Sequence, residues 1–100
     1  MKPIVFDEEA RAELDKAAEE YEALREGLGD DFVGEIRQGL ERIEKMPQSF
    51  SHFETTEFRK CILRRFPYTI YFSEEEDRIW IAAVAHQRRR PGYWLDRQPE

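Results

Sequence analysis

The stretch Ala83–Arg97, AVAHQRRRPGYWLDR, holds the chain's densest set of chemically versatile side chains. An apolar run ends at His86 and Gln87. Arg88, Arg89 and Arg90 follow, then a Pro-Gly break, Tyr93, Trp94 and finally Arg97. Guanidinium forks bind phosphates or carboxylates, while Tyr and Trp stack on bases or anchor protein interfaces. Arg64 and Arg65 sit in an earlier turn, from which they could reach the same end of a sheet. The competing reading is that these arginines pair with acidic helices of the same chain while Tyr93 and Trp94 pack on the edge of the core. His86, at the end of a strand, could carry protons or serve as a structural hydrogen-bonding histidine.

Other chemistry is thin. His52 falls in a loop and is expected to be solvated. Two well-separated histidines and one cysteine give no metal-ligand spacing. The chain lacks a glycine-rich phosphate loop and a nucleophile elbow, so no cofactor is expected. Its carboxylates mostly serve a solvated helix face, and EEED at 74–77 reads as a charged hairpin turn. Cys61 follows Lys60, and a basic neighbour favours thiolate, but its place in an apolar strand points to inert core.

Charge excludes one broad class. The net charge is −6, unevenly spread: residues 1–57 carry 7 Lys/Arg against 16 Asp/Glu, whereas residues 58–100 carry 9 against 6. General nucleic-acid binders draw most of their affinity from phosphate neutralisation and are basic overall. This chain is acidic, with a local basic patch only in its second part. Its 100 residues suit one domain, 1–100, with a modest core. No window offers the roughly 20 apolar residues of a membrane span, and MKPIVFDEEA is not a secretory signal. A lone cysteine fits a reducing, cytoplasmic setting.

The elements that must position these residues follow from periodicity. Ile4–Phe6 reads as a short strand. Asp7 is an N-cap candidate, with Glu8 and Glu9 in the first turn where the helix dipole favours acids. Ala10, Leu14, Ala17, Tyr21, Leu24 and Leu28 then recur at helical spacing, and Gly27 and Gly29 end the helix. Asp30 or Asp31 caps a second helix with the stripe Phe32, Ile36, Leu40 and Ile43, which Pro47 terminates. A short link between the two predicts an antiparallel helical hairpin. Gly39, beside the second stripe, either allows a close approach or is simply tolerated. Residues 47–58 show no period and read as a loop. Three strands are expected at 59–63, 68–72 and 78–86, with a polar connection at 73–77.

The last strand is apolar on both faces. Strict alternation places Ile79, Ile81, Ala83 and Ala85 on one side and Trp80, Ala82 and Val84 on the other, as in a central strand covered twice. The helical hairpin covers one face. The second is expected to stay partly bare unless the C-terminal tail or a partner crosses it, and exposed apolar area of that kind marks a protein–protein site.

The order strand, helical hairpin, three strands, together with FPYTIYF (66–72), AVAHQRR (83–89) and PGYWLDR (91–97), resembles the RelE/ParE toxins of type II toxin–antitoxin systems, and more closely the ParE-like branch. The resemblance spans nearly the whole chain. It implies an α+β fold: a short N-terminal strand and a two-helix hairpin packed on one face of a small, twisted, mainly antiparallel sheet of about four strands. It also implies a cytoplasmic toxin in a hetero-oligomer with a cognate antitoxin, whose covering segment should intersperse aliphatic anchors with Asp or Glu.

Two activities are implied by the family. ParE-like members inhibit DNA gyrase, which would make Arg64, Arg65, Trp80, His86, Arg88, Arg89, Arg90, Tyr93, Trp94 and Arg97 a target- or partner-binding set. RelE-like members cleave mRNA on the ribosome, which would cast Arg64 or Arg65 as phosphate clamp, His86 or Tyr93 as proton carrier and one of Arg88, Arg89 and Arg90 as transition-state stabiliser. A third possibility is a member that has lost toxicity and survives as a binding module. The acidic helical part favours the first, since a ribosome repels it.

Overall fold

The computed structural model describes residues 1–99. Strand β1 (Ile4–Phe6) leads into helix α1 (Glu8–Leu24) and helix α2 (Leu28–Lys45). A 3-10 turn (Pro47–Ser49) and a loop precede strands β2 (Arg59–Ile62), β3 (Tyr68–Glu74) and β4 (Ile79–His86). The sheet order is β1-β4-β3-β2; β1 runs parallel to β4 and the other pairs are antiparallel. The α+β architecture read from the sequence is the one observed. No helix among the described residues is long and apolar enough to cross a membrane.

Asp7 caps α1 as expected, its carboxylate accepting from the N–H groups of Glu9 at 2.9 Å and Ala10 at 3.2 Å. The junction between the helices differs from the periodicity reading. Leu24 is the last residue of α1 and lies exposed, while Leu28 opens α2. Gly27, at φ +89°, is the N-cap, and Asp30 and Asp31 lie one turn further in. The cap is built across the hairpin: the Glu22 carboxylate on α1 accepts from Gly27 N–H at 2.9 Å and Gly29 N–H at 3.0 Å. A side chain that closes the N-terminus of its neighbour leaves no task for a cap at Asp30.

Phe32, Ile36 and Ile43 of α2 are buried against the sheet with Ala10, Leu14 and Ala17 of α1. Gly39 is there for proximity: a Cβ at this position would stand 3.2 Å from Ile70 Cδ1 and 3.4 Å from Cys61 Sγ. The helix settles onto β2 and β3 at that point. Burial pushes the Cys61 thiol pKa up, against the pull of the nearby Arg42, so the residue is core. β3 runs two residues past the expected strand, and the connection closes through Glu75 N–H to Arg78 C=O at 2.8 Å.

Strict alternation fails in β4. Tyr71 pairs with Ala83 and Phe72 with Ile81, so β4 carries one extra residue, Ala82, across from β3. This is a β-bulge, which restarts the alternation one residue later. Ile79, Ile81 and Val84 therefore face the helices. Trp80, Ala82, Ala83 and Ala85 belong to the second layer.

That second layer is the main correction to the sequence reading. The face expected to be partly bare is sealed by the chain itself. Trp94 lies on it at 1% exposure, stacked on Tyr71 with ring centroids 4.5 Å apart and packed against Phe53 at 5.3 Å and Phe58 at 4.9 Å. Trp80 is 3% exposed beneath the same cluster. The physical reason is volume: three alanines in β4 leave a shallow trough, and a large aromatic from the tail fills it. The partner site inferred from an uncovered sheet face does not exist in this form.

Candidate functional site

The end of the sheet where β4 stops is where the sequence-selected residues gather. Tyr68, at the start of β3, pairs with His86, at the end of β4. The β2–β3 turn carrying Arg64 and Arg65 is tied to the tail by Gln87 N–H donating to Pro67 C=O at 2.8 Å. The tail then folds back in successive turns: Arg89 N–H to His86 C=O at 3.0 Å, Tyr93 N–H to Arg90 C=O at 3.3 Å, Leu95 N–H to Gly92 C=O at 3.0 Å and Arg97 N–H to Trp94 C=O at 3.0 Å. Gly92 takes φ +79°, a conformation costly to a side-chain-bearing residue.

The ten candidates divide into three groups. Trp80 and Trp94 are interior and can touch a partner only if the second layer opens. Arg97 is pinned. Its guanidinium grips both oxygens of Glu13 at 2.9 and 3.0 Å, lies 3.4 Å from Glu9, and donates to Ala82 C=O at 2.9 Å. The remaining residues form an accessible rim: Arg64, Arg65, Arg88, Arg89 and Arg90 are exposed, His86 and Tyr93 half-buried. Arg88, Arg89 and Arg90 have no carboxylate within 4.0 Å among the described residues. Arg89 instead lies over the Tyr93 ring, 3.8 Å from its centroid, a cation–π contact.

Glu13 organises this end of the molecule. Parallel pairing with β1 ends at Ile81, leaving the next backbone groups on that side of β4 without a strand. Glu13 accepts from Val84 N–H at 3.0 Å, and Arg97 donates to Ala82 C=O. An ion pair thus completes the sheet edge where β1 stops. Tyr93 O–H also donates to Glu13. Burial, then the hydrogen bond to Glu13 and its charge, hold the Tyr93 phenol well above its ordinary pKa. For Arg97, burial opposes the charged form, but Glu13 outweighs it and the guanidinium is held still more firmly charged.

This geometry bears on what the rim can do chemically. His86, Arg89 and Tyr93 line one shallow pocket with Glu13, Lys16 and Glu20, whereas Arg65 lines another. Tyr93 holds its proton and donates it in a hydrogen bond to the Glu13 carboxylate, and His86 Nδ1 accepts from Arg88 N–H at 3.0 Å. Glu13 and Glu20 in the wall offset Lys16 and Arg89, and Arg97 is spent on Glu13, so the pocket offers a phosphodiester no concentrated positive charge. Arg88, Arg89 and Arg90, by contrast, have no carboxylate among the described residues to compete with acidic groups on a protein surface. Among the described residues no group of three or more His, Cys, Asp and Glu could hold a metal ion.

Sequence reasoning passed over Glu13, and no local signal could have found it, because it is one of 16 acids in residues 1–57. Arg42 was passed over too. It lies on α2 beside Arg64 and Arg65 only through tertiary packing.

The family model described as "ParE toxin of type II toxin-antitoxin system, parDE" matches residues 4–91. No curated protein matches the chain. Among solved structures, one described as a chromosomal ParDE TA system from P. aeruginosa superposes with a TM-score of 0.63 at 19% identity, covering 86% of this chain and 96% of that one. At that identity the likeness shows the fold alone.

Proposed function

The chain belongs to the ParE toxin family of type II toxin–antitoxin systems, and from that premise we propose that it inhibits DNA gyrase without chemistry of its own and is silenced by a cognate antitoxin. The observation that carries this reading is that Arg88, Arg89 and Arg90 have no carboxylate partner among the described residues, on a tail that is otherwise locked down. Chain entropy opposes binding by flexible segments. Here the tail is already ordered by Trp94 and by the grip of Arg97 on Glu13, so its arginines are presented in place. Guanidinium groups without carboxylate partners suit acidic patches on a protein target. Arg64 and Arg65 extend the same rim, and His86 and Tyr93 form its floor.

The test is supercoiling by purified gyrase with the chain added. Inhibition is expected, relieved by the antitoxin and reduced at least tenfold by Arg88→Glu, Arg89→Glu and Arg90→Glu combined. Circular dichroism of the variant controls for folding. Supercoiling that proceeds unchanged at micromolar chain would overturn the gyrase reading, and mRNA cleavage on ribosomes under the same conditions would replace it.

A further inference from the structure

The turn that carries β4 into the tail hangs on His86. Arg89 N–H donates to the His86 C=O at 3.0 Å, and Arg88 N–H donates to the ring Nδ1 at 3.0 Å. Two consecutive arginines of the rim thus take their backbone acceptors from one residue. The bond to the ring demands one protonation state. A nitrogen that accepts a hydrogen bond must have its lone pair free, so Nδ1 carries no proton and the neutral ring keeps its single proton on Nε2.

Histidine gains its charge between about pH 8 and pH 5. Protonation puts a hydrogen on Nδ1, facing the Arg88 N–H, and turns the acceptor into a second donor. Attraction becomes repulsion, and either the ring swings away or the Arg88 backbone withdraws. Swinging has a cost, because the ring stands T-shaped to Tyr68, with centroids 5.1 Å apart and planes at 78°. The surroundings do not compensate. α1 presents Glu13, Lys16 and Glu20 to the ring, β3 presents Tyr68, and the tail presents Arg89 and Tyr93. Tyr71, Arg90 and Trp94 border its other side. Glu13 is held by Arg97, Tyr93 O–H and Val84 N–H, so an imidazolium joins Lys16, Arg89 and Arg90 with Glu20 as the one further acid.

We propose that His86 is a positioning residue for the arginine rim and that its protonation releases Arg88, leaving the rim set in place at neutral pH and loosened in acid. Arg88 is exposed, so its freed N–H turns to water and the fold survives. What is lost is the ordered presentation of the guanidinium groups, which a target must then restore on binding. The consequence for inhibition rests on the reading of the rim as target-binding, whereas the switch itself belongs to the free chain. A natural control exists. Asn at this position places its side-chain oxygen where Nδ1 stands, bonds the N–H two residues on as Asn does in turns, and does not titrate.

The experiment is NMR of the intact, isotope-labelled chain between about pH 8 and pH 5. Expected at the upper end is a scalar coupling across the hydrogen bond between the Arg88 amide nitrogen and His86 Nδ1. It should vanish along the titration curve of the His86 ring, while protection of the Arg88 amide against exchange falls about threefold or more. His86→Asn should hold that protection constant, and His52→Asn, which removes the other histidine, should leave the parent's response intact. A coupling absent at the upper end overturns the proposal, as does Arg88 protection that stays level while the ring titrates or falls equally in His86→Asn. Supercoiling by gyrase gives the functional arm, read within each chain as the ratio of inhibition at about pH 6 to that at about pH 8. The ratio should be low for the parent and near one for His86→Asn. Equal ratios overturn the positioning role. An NMR response with no inhibition by either chain at any pH sinks the gyrase reading and leaves the switch standing.

Discussion

Glu13 and Arg97 are 84 residues apart in the chain and meet through two hydrogen bonds of 2.9 and 3.0 Å. Between them they also satisfy Val84 N–H and Ala82 C=O, the backbone groups that β1 is too short to reach. The pair therefore joins the first helix, the central strand and the tail in one contact.

Removing one partner strips the other, largely buried, of its main counter-charge, which costs up to about 3–5 kcal/mol. Glu13→Gln should lose roughly that much in urea unfolding, and Arg97→Gln a similar amount. The double variant should lose less than the sum, with a coupling of at least ~1 kcal/mol. Additive losses would mean that the two side chains act separately.

Trp94→Ala should cost about 3–5 kcal/mol, the range for emptying a large aromatic from a core. Releasing the tail also exposes the backbone after Arg88 and Arg89 to trypsin. Cleavage there should be many times faster than in the parent, while Trp94→Phe keeps most of the protection.

Gly29 and Gly34, both on α2, predict opposite signs. A Cβ at Gly29 would stand 2.6 Å from Ala18 O, a backbone atom that cannot yield, so Gly29→Ala should destabilise. At Gly34 nothing lies within 4 Å, and Gly34→Ala should stabilise by up to about 1 kcal/mol from helix propensity. Thermal unfolding of the two variants checks both.

Alkaline pH should weaken the fold. Tyr21, Tyr68, Tyr71 and Tyr93 all have phenol pKa values raised above 10.0, chiefly by burial. Above that pH the unfolded chain sheds these protons while the folded one keeps them, so stability is full below pH 10 and falls as pH rises. Tyr93→Phe should make that fall shallower. Phenolate absorbance near 295 nm, followed against pH in native and urea-unfolded chain, measures the offset directly.

Much of this architecture was legible in the residues. Asp7 as cap, the two helical stripes, the three later strands and the doubly apolar β4 each rest on local spacing, and local spacing survives folding. The cover on the second face was legible only as a choice between the tail and a partner. Phe53, Phe58 and Trp94 come from segments without period, where burial depends on where turns place a single ring. The bulge at Ala82 escaped notice because an extra residue in a run of alanines leaves the pattern outwardly intact. The rim was half legible: clustered arginines are visible in one dimension, but only three dimensions separate Arg97, locked to Glu13, from Arg88, Arg89 and Arg90, which have no carboxylate partner among the described residues.

A ledge of unsatisfied peptide groups beside a short strand is where copies of one protein begin to stack into fibrils. Here a carboxylate and a guanidinium already occupy that ledge, so no neighbour's backbone can seed on it. The contact that fastens the tail also keeps the molecules apart on that side when they are concentrated.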